Sequence, residues 1–175
     1  KKKNWQKNLS NLNSDKKTFW IHAASHGEAI MASSLVKEIL NQKNNKVVMS
    51  FFSPSGYDNY NFENENFHKF YLPFDKKRNS KKIIDFIKPS ILIFVKYDLW
   101  LNLISECNNR KIPSLVFSSK FRKNHWYFNI LGKSAKKILQ SMSLILTADY
   151  SSEEILEKNG FSNFKYSGDT RFDTF

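Results

Sequence analysis

The chain has 175 residues, of which 41% are apolar and 15% aromatic, so it can build one sizeable core, and a disordered protein is excluded. Its single cysteine excludes a disulfide framework and a four-cysteine metal site, and is typical of a reducing compartment. No run approaches the roughly 20 apolar residues that span a bilayer, and the polar N-terminal stretch has no secretory signal pattern.

The net charge is +12, from 28 Lys and Arg against 16 Asp and Glu. Only four of the basic residues are arginine, whereas nucleic-acid-binding proteins depend on arginine for bidentate contacts. Two interpretations stay open. The charge reflects a codon bias toward lysine and asparagine on solvated surfaces, or it attracts an anionic partner such as a membrane surface, a phosphorylated lipid or nucleic acid.

Short apolar runs alternate with helical patterns along the chain. The runs are nearly continuous, which is typical of strands buried on both faces of a parallel sheet, and amphipathic segments between them predict helices. The predicted strands are 18–24, 46–52, 68–72, 90–95, 113–118, 144–148 and 164–167, and the predicted helices are 28–40, 76–87, 99–109, 123–140 and 151–159. This alternation predicts an α/β fold, a Rossmann-like parallel sheet with helices on both faces.

Residues 18–175 are expected to form this fold as a single domain, preceded by a basic, polar and partly flexible tail over residues 1–17. Near the end of the chain, Ser151 precedes Glu154 by three residues, the spacing of a capping box, and Gly160 predicts where the helix stops.

The first strand–helix loop contains Ser25, His26, Gly27 and Glu28. Ligands bind at the carboxyl ends of strands in such sheets, and Gly27 would permit a tight turn and a close approach to the backbone. Glu28 falls in the first helical turn, where the helix dipole would lower its pKa; it is either an ordinary capping residue or a general base. One glycine does not make a dinucleotide fingerprint, and no P-loop pattern occurs.

His22 and His26 are four residues apart, but His22 lies inside the first predicted strand. The pair therefore lacks the one-face geometry of a helical metal site, and no metal site is predicted. We interpret His22 as a hydrogen-bonded histidine of the core or the sheet edge.

Two further loops carry candidate residues with two interpretations each. Ser55 and Gly56 follow the second strand, where backbone N–H groups would bind an anion or a sugar hydroxyl, or form an ordinary turn. Lys96 and Asp98 follow the fourth strand, where they would contact a ligand or form a local ion pair, with Asp98 also a candidate cap of the next helix.

The loop after the fifth strand contains Lys120 and Arg122, followed by the aromatic residues 126–128. A basic loop beside aromatic rings would hold phosphates above an apolar surface, or it is a solvated turn that leads into a buried helix.

Five separated motifs occur in order along the chain: WIHAASHGEAIMASSLVKEIL, SFFSPSGYDNY, YLPFD, ILIFVKYDLWLNLI and SGDTRFD. On these motifs the sequence, from about Phe19 to Asp173, resembles the N-terminal half of the 3-deoxy-D-manno-octulosonic acid (Kdo) transferases of lipopolysaccharide synthesis. The resemblance implies a GT-B glycosyltransferase, in which two Rossmann-like domains face a cleft. It also implies transfer of Kdo from CMP-Kdo to a hydroxyl of a lipid A precursor, with inversion and without a metal or cofactor.

Within this resemblance, Glu28 matches the family's proposed catalytic base and Asp98 matches the acidic residue before Leu-Trp. Arg171 matches the basic residue of a Gly-Asn-x-Lys-Phe-Asp type motif. The chain departs from the family at Lys96 and Tyr97, where many members carry an acid and a small hydroxyl residue. It also has Ser-Ser-Lys-Phe at 118–121 in place of Asn-x-Arg-Leu, which indicates a divergent subgroup.

The resemblance further implies a phosphorylated glycolipid acceptor and an anionic membrane surface at the cytoplasmic face of the bacterial inner membrane, with no nucleic acid. A C-terminal domain outside this chain would bind most of CMP-Kdo, so the chain alone is expected to be inactive. Two other interpretations remain open. They are a non-catalytic basic module for anionic lipid or nucleic acid, and a GT-B enzyme with a different sugar-nucleotide donor.

Overall fold

A computed structural model describes residues 5–10, 12, 15–96 and 98–169 of the protein. Its strands are β1 Lys17–His22, β2 Asn45–Phe51, β3 Phe67–Tyr71, β4 Ile91–Val95, β5 Ser114–Ser119, β6 Leu144–Thr147 and β7 Phe164–Tyr166. They form one parallel sheet in the order β3-β2-β1-β4-β5-β6-β7. Each predicted strand is present, with ends that differ by no more than two residues, and the predicted fold class is confirmed.

Helices cover both faces of this sheet. They are α1 Trp5–Asn8, α2 His26–Met31, α3 Ser33–Leu40, α4 Pro54–Asn59, α5 Lys77–Ile87, α6 Leu101–Asn109, α7 Lys133–Gln140 and α8 Tyr150–Lys158. Apolar residues of α2, α3 and α4 join one core cluster, and those of α1 and α5 to α8 join the other.

The two clusters exist because successive strand residues point to opposite faces of the sheet. Trp20 belongs to one cluster and its neighbour Ile21 to the other, and β2 is buried along its whole length. Each fully buried large apolar side chain contributes about 1.5–3 kcal/mol, so two such faces supply the driving force for the fold. Burial on both faces is what the nearly continuous apolar runs predicted.

The chain crosses from one half of the sheet to the other between β3 and β4. The strands β1, β2 and β3 follow one another outward in one direction, and β4 to β7 follow in the other, with β1 and β4 as neighbours. Open α/β sheets form a ligand crevice at the carboxyl ends of the strands where the order reverses. The loops after β1 and β4 therefore border this crevice.

The N-terminal segment differs from the polar tail predicted over residues 1–17. Trp5 and Leu9 are buried in a core cluster, and the Trp5 ring lies 6.2 Å from that of Phe70 and 5.3 Å from that of Phe86. The strand β1 already begins at Lys17. The described part of this segment is packed rather than tail-like, because burying an indole ring outweighs the solvation of the lysines around it.

The first long helix, predicted as 28–40, differs at its start and in its middle. It begins at His26 because Ser25 caps it, and it is interrupted at Ala32, which separates α2 from α3. The Ala32 N–H bonds to the carbonyls of both Glu28 and Ala29, so the regular hydrogen-bond ladder is disturbed there.

The prediction of one helix over 123–140 was wrong in its first half. Residues Trp126–Phe128 and Ile130–Gly132 form two 3₁₀ turns, and α7 begins only at Lys133. Asn129, between the turns, has an extended backbone, and the Gly132 backbone packs directly against residues 126 and 127. This tight reversal cannot form inside a continuous α-helix.

The cap predicted for the last helix was also wrong. Asp149 caps α8, because its carboxylate accepts the Ser152 N–H at 2.8 Å, and Ser151 lies inside the helix. The predicted stop is confirmed, since Gly160 follows the helix with a left-handed φ of +73° that glycine adopts without strain.

Candidate functional site

The crevice between the ends of β1 and β4 brings the first and fourth loops together. Ser25 caps α2, and its hydroxyl accepts the Glu28 N–H at 3.4 Å. The Glu28 side chain turns back toward the strand, where its Oε2 atom accepts the Ala24 N–H at 2.6 Å. Glu28 therefore takes part in capping, and at 8% exposure it is also a buried carboxyl at the edge of the crevice.

Burial raises the pKa of Glu28, and this overturns the expectation that the helix dipole would lower it. Loss of hydration outweighs the bond from Ala24, and the nearby charge of Asp98 raises the pKa further, against the smaller opposing effect of Lys96. A carboxyl group with a raised pKa is a better proton acceptor near neutral pH than an ordinary glutamate.

The backbone around this carboxyl is open on one side and packed on the other. Apart from Gly27 itself, its chain neighbours and the backbone of its own helix, no atom of the described residues lies within 4 Å of the position that a Gly27 Cβ would occupy. A ligand can therefore approach there, although Gly27 is helical and forms no tight turn. The Nδ1 atom of His26 is buried and has no hydrogen-bond partner among the described residues.

His22 lies at the end of β1 and is held from both sides, which confirms it as a hydrogen-bonded core histidine. Its Nδ1 atom lies 2.9 Å from the Ser50 hydroxyl, and its Nε2 atom lies 3.3 Å from Oδ2 of Asp98. The indole N–H groups of Trp20 and Trp100 donate to the two ends of this network, to Ser50 at 2.8 Å and to Asp98 at 3.2 Å.

Asp98 is neither the helix cap nor the partner of Lys96 that the sequence suggested. Among the described residues, Oδ2 of Asp98 lies 3.3 Å from Nε2 of His22 instead. Burial would raise the pKa of Asp98, but the hydrogen bonds from His22 and Trp100 lower it below its usual value. Asp98 is therefore ionised before Glu28 as the pH rises, which is why its charge acts on Glu28.

Asp75, from the loop after β3, caps α6 instead. Its two carboxylate oxygens accept the N–H groups of Asn102 at 2.9 Å and Leu103 at 3.2 Å, and its carbonyl accepts the Asn102 side chain at 2.8 Å. These bonds tie the fourth loop to a distant part of the chain and support the segment that carries Asp98 and Trp100.

Two non-glycine residues beside the crevice have left-handed backbones. Lys96 directly follows β4 and has a φ of +64°. Ser118 lies near the end of β5 with a φ of +54°, where the pairing of β5 with β6 shifts register. The Ser118 hydroxyl lies 3.4 Å from Oδ1 of Asp169, in the last of the sequence motifs. Such conformations cost of order 1–3 kcal/mol each and concentrate at functional sites.

The second loop has a structural role at Gly56. A Cβ at this position would lie 2.7 Å from the Phe51 ring and 3.0 Å from the Ser25 carbonyl carbon, so glycine allows α4 to pack against the first loop. Ser55 is exposed, and its hydroxyl bonds that of Ser53 at 2.7 Å. These contacts favour the ordinary-turn interpretation.

The remaining candidate residues lie further along the same edge of the sheet or outside the residues that the structure describes. Lys120 forms a partly exposed ion pair with Asp149 at 3.7 Å, and Arg122 is exposed. Arg171 lies outside the described residues. The structure thus brings together Glu28, Lys96 and Asp98, and leaves Lys120 and Arg122 in a separate solvated loop.

Sequence reasoning missed the connecting residues Ser50, Trp20 and Asp75. Ser50 is the parallel register partner of His22, and that register is not written in either strand alone. Asp75 is the last residue of the YLPFD motif, but no local signal relates it to a helix that starts 26 residues later.

Two absences apply to the described part of the chain. No group of three or more His, Cys, Asp or Glu side chains there is arranged to hold a metal ion. No helix in the same residues has the length and apolar character needed to cross a bilayer.

Comparison with known proteins gives consistent sequence matches. A family described as 3-deoxy-D-manno-octulosonic-acid transferase (kdotransferase) matches residues 3–174. The 3-deoxy-D-manno-octulosonic acid transferase of Haemophilus influenzae is 32% identical over 139 residues, covering 74% of this chain and 31% of the relative. A bifunctional glycosyltransferase/methyltransferase of Fusobacterium nucleatum is 28% identical over 145 residues, covering 81% and 22%. The chain therefore spans less than a third of the length of these relatives.

Solved structures share the fold at low sequence identity. The UDP-N-acetylglucosamine 2-epimerase of Rickettsia bellii superposes with a TM-score of 0.65 at 12% identity, over 90% of this chain and 46% of that one. A UGT transferase of Siraitia grosvenorii in complex with UDP gives 0.52 at 10% identity, over 87% and 51%. These likenesses establish the fold alone.

Proposed function

Because the chain belongs to the 3-deoxy-D-manno-octulosonic-acid transferase (kdotransferase) family, we propose that it is the acceptor-binding part of an inverting glycosyltransferase. In this proposal the full-length protein transfers Kdo from CMP-Kdo to a hydroxyl of a lipid A precursor. A second domain, in the part of the protein that this chain does not span, makes most of the contacts with CMP-Kdo. The observation that carries the proposal is the buried carboxyl of Glu28 beside the open backbone of Gly27.

Glu28 acts as the general base. Its Oε2 atom is engaged by the Ala24 N–H, which leaves Oε1 for the acceptor hydroxyl. As the hydroxyl oxygen attacks the anomeric carbon of Kdo, its proton passes to Glu28. The bond from that carbon to the CMP phosphate breaks, and its electron pair leaves with CMP. The raised pKa of Glu28 supports this role.

A phosphorylated glycolipid acceptor would lie in an anionic membrane. We therefore propose that the protein binds the cytoplasmic face of the inner membrane. Three large apolar side chains in the connection after β5 support this: Trp126 is 57% exposed, Ile130 81% and Leu131 97%. Exposed lysines, among them Lys123 and Lys133, lie in the same segment. Apolar side chains surrounded by cations are typical of surfaces that bind anionic bilayers.

The base assignment is tested in the full-length protein with Glu28→Gln. Glutamine keeps an oxygen for the Ala24 N–H but cannot take the proton, so we expect transfer to fall by about 10²–10⁴-fold while the fold is retained. Glu38→Gln, the same change on the solvent side of α3, is the matched control. Near-wild-type transfer by the Glu28 variant, measured by mass spectrometry of the lipid product, would rule out Glu28 as the base.

Membrane binding is tested separately, with vesicles of phosphatidylcholine with and without phosphatidylglycerol. We expect Ile130→Ser with Leu131→Ser to weaken binding to the anionic vesicles by at least about tenfold. Lys133→Glu should also weaken this binding. The same change at Lys43, just before the amino-terminal end of β2, should have less effect. Stronger, salt-dependent binding to duplex DNA than to these vesicles would instead support a nucleic-acid-binding module.

A further inference from the structure

The hydrogen bonds around His22 have a fixed direction, because both ends of the network are indole N–H groups. An indole N–H can only donate, so the Ser50 oxygen accepts from Trp20, and Oδ2 of Asp98 accepts from Trp100. The Ser50 hydroxyl then has its own hydrogen to donate, and the atom beside it is Nδ1 of His22, at 2.9 Å.

This direction assigns the proton on His22. If Nδ1 accepts from Ser50, the ring hydrogen is on Nε2, which donates to Oδ2 of Asp98 at 3.3 Å. A proton on Nδ1 would leave the Ser50 hydroxyl with two donors and no acceptor among its described contacts. The hydrogen bonds therefore favour the imidazole tautomer that carries its proton on Nε2.

The surroundings hold the ring in this orientation. The side chain of His22 is fully buried, and its ring packs edge-on against Phe94 at 6.0 Å and Trp100 at 5.2 Å. The side chain of Asp98, in contrast, is 38% exposed at the crevice. The network thus runs from the closed core to a carboxylate at the surface of the site.

Both described hydrogen bonds to Asp98 end on the same oxygen, Oδ2. Building on the proposed function, we propose that His22 is a positioning residue, which fixes Oδ2 of Asp98 through Nε2–H and leaves Oδ1 to accept a hydrogen bond from a hydroxyl of the bound acceptor. His22 does not touch the acceptor. It acts by holding Asp98 in one rotamer across the crevice from Glu28.

Glutamine and asparagine at position 22 separate this role from simple packing. The amide nitrogen of His22→Gln can occupy the place of Nε2 and donate to Asp98, whereas the shorter His22→Asn reaches only the place of Nδ1, beside Ser50. We expect His22→Asn to raise the KM for the acceptor in the full-length protein by about tenfold or more, and His22→Gln to restore most of the loss. Asp98→Asn, at a partly exposed position that should not impair folding, is expected to raise the same KM.

Two measurements on this chain do not depend on transfer. Long-range ¹H–¹⁵N correlation spectra of the histidine rings should show a proton on Nε2 of His22. The carboxyl ¹³C resonance of Asp98 should titrate at higher pH in His22→Asn than in the wild type, with His22→Gln close to the wild type. Glu28 of α2, which interacts with the charge of Asp98, and Lys96, which interacts with that of Glu28, are not changed by these variants.

The outcomes separate the two proposals. A His22 ring with its proton on Nδ1 and none on Nε2 would overturn the positioning role of His22, as would equal effects of glutamine and asparagine on the Asp98 titration. If the full-length wild-type protein transfers no Kdo, the proposed function fails. The spectra would still decide whether His22 holds Asp98.

Discussion

Asp75 caps helix α6 from the loop after β3, so Asp75→Ala should destabilise the protein and loosen the loop that carries Asp98. The substitution removes the acceptors of two backbone N–H groups, those of Asn102 and Leu103. Loss of a side-chain cap costs about 1 kcal/mol, and loss of a partly buried carboxylate at a helix N-terminus costs about 1 kcal/mol more. We therefore expect the free energy of unfolding to fall by about 2 kcal/mol.

In a protein of this size, 1 kcal/mol corresponds to about 2–4 °C, so the Tm of Asp75→Ala should fall by about 4–8 °C. Asp75→Asn keeps an oxygen acceptor and loses the charge, so its loss in free energy of unfolding should be about half of that of Asp75→Ala. Urea denaturation followed by circular dichroism measures the free energies, and Glu63→Ala, an exposed loop residue, controls for the loss of one negative charge. A loss for Asp75→Ala below about 0.5 kcal/mol, equal to that of an ordinary surface change, would refute the capping role.

Three further predictions concern packing, reactivity and pH. Gly56→Ala should lower the free energy of unfolding by about 1–3 kcal/mol, because its Cβ would meet a phenylalanine ring at 2.7 Å. Gly27→Ala, in open space within a helix, should raise it by about 0.5–1 kcal/mol. Burial raises the pKa of the Cys107 thiol to about 12, so at pH 8 the native chain should resist alkylation by iodoacetamide until urea unfolds it. The charge of Asp98 raises the pKa of Glu28, so Asp98→Asn should move the acidic limb of the transfer rate to lower pH, because the base acts in its ionised form.

For each of these three predictions, one outcome would contradict the reasoning. Equal stabilities of the two glycine variants would mean that α4 does not pack closely on the first loop. Rapid alkylation of native Cys107 would mean that the thiol is accessible. An acidic limb that stays in place or moves to higher pH in Asp98→Asn would mean that Asp98 does not act on Glu28.

The strands were predictable because their signal is local. A strand buried on both faces needs a nearly continuous apolar run, and residues such as those of β2 and β4 carry it whatever their neighbours are. The position of Glu28 in the first turn of a helix was predictable for the same reason, but the Ser25 cap that starts the helix at His26 was not recognised.

The errors arose where a distant contact competes with a local pattern. Residues 126–132 have a helical apolar pattern, but an extended Asn129 turns the backbone back on itself. Trp5 follows a lysine-rich stretch, yet its ring finds Phe70 and Phe86 to pack against. In both cases the tertiary contact outweighs the local preference.

The sequence by itself determined the α/β class, the edge of the sheet that carries the loops, and the carboxyl of Glu28 at the start of α2. Only the tertiary structure decided the chemistry of that carboxyl, because desolvation depends on everything that packs around it, and it reversed the expected direction of the pKa. It also joined Ser50, His22 and Asp98, which lie on β2, on β1 and after β4. Strand order and register bring those three side chains within hydrogen-bond distance, and neither is encoded in any one segment of the chain.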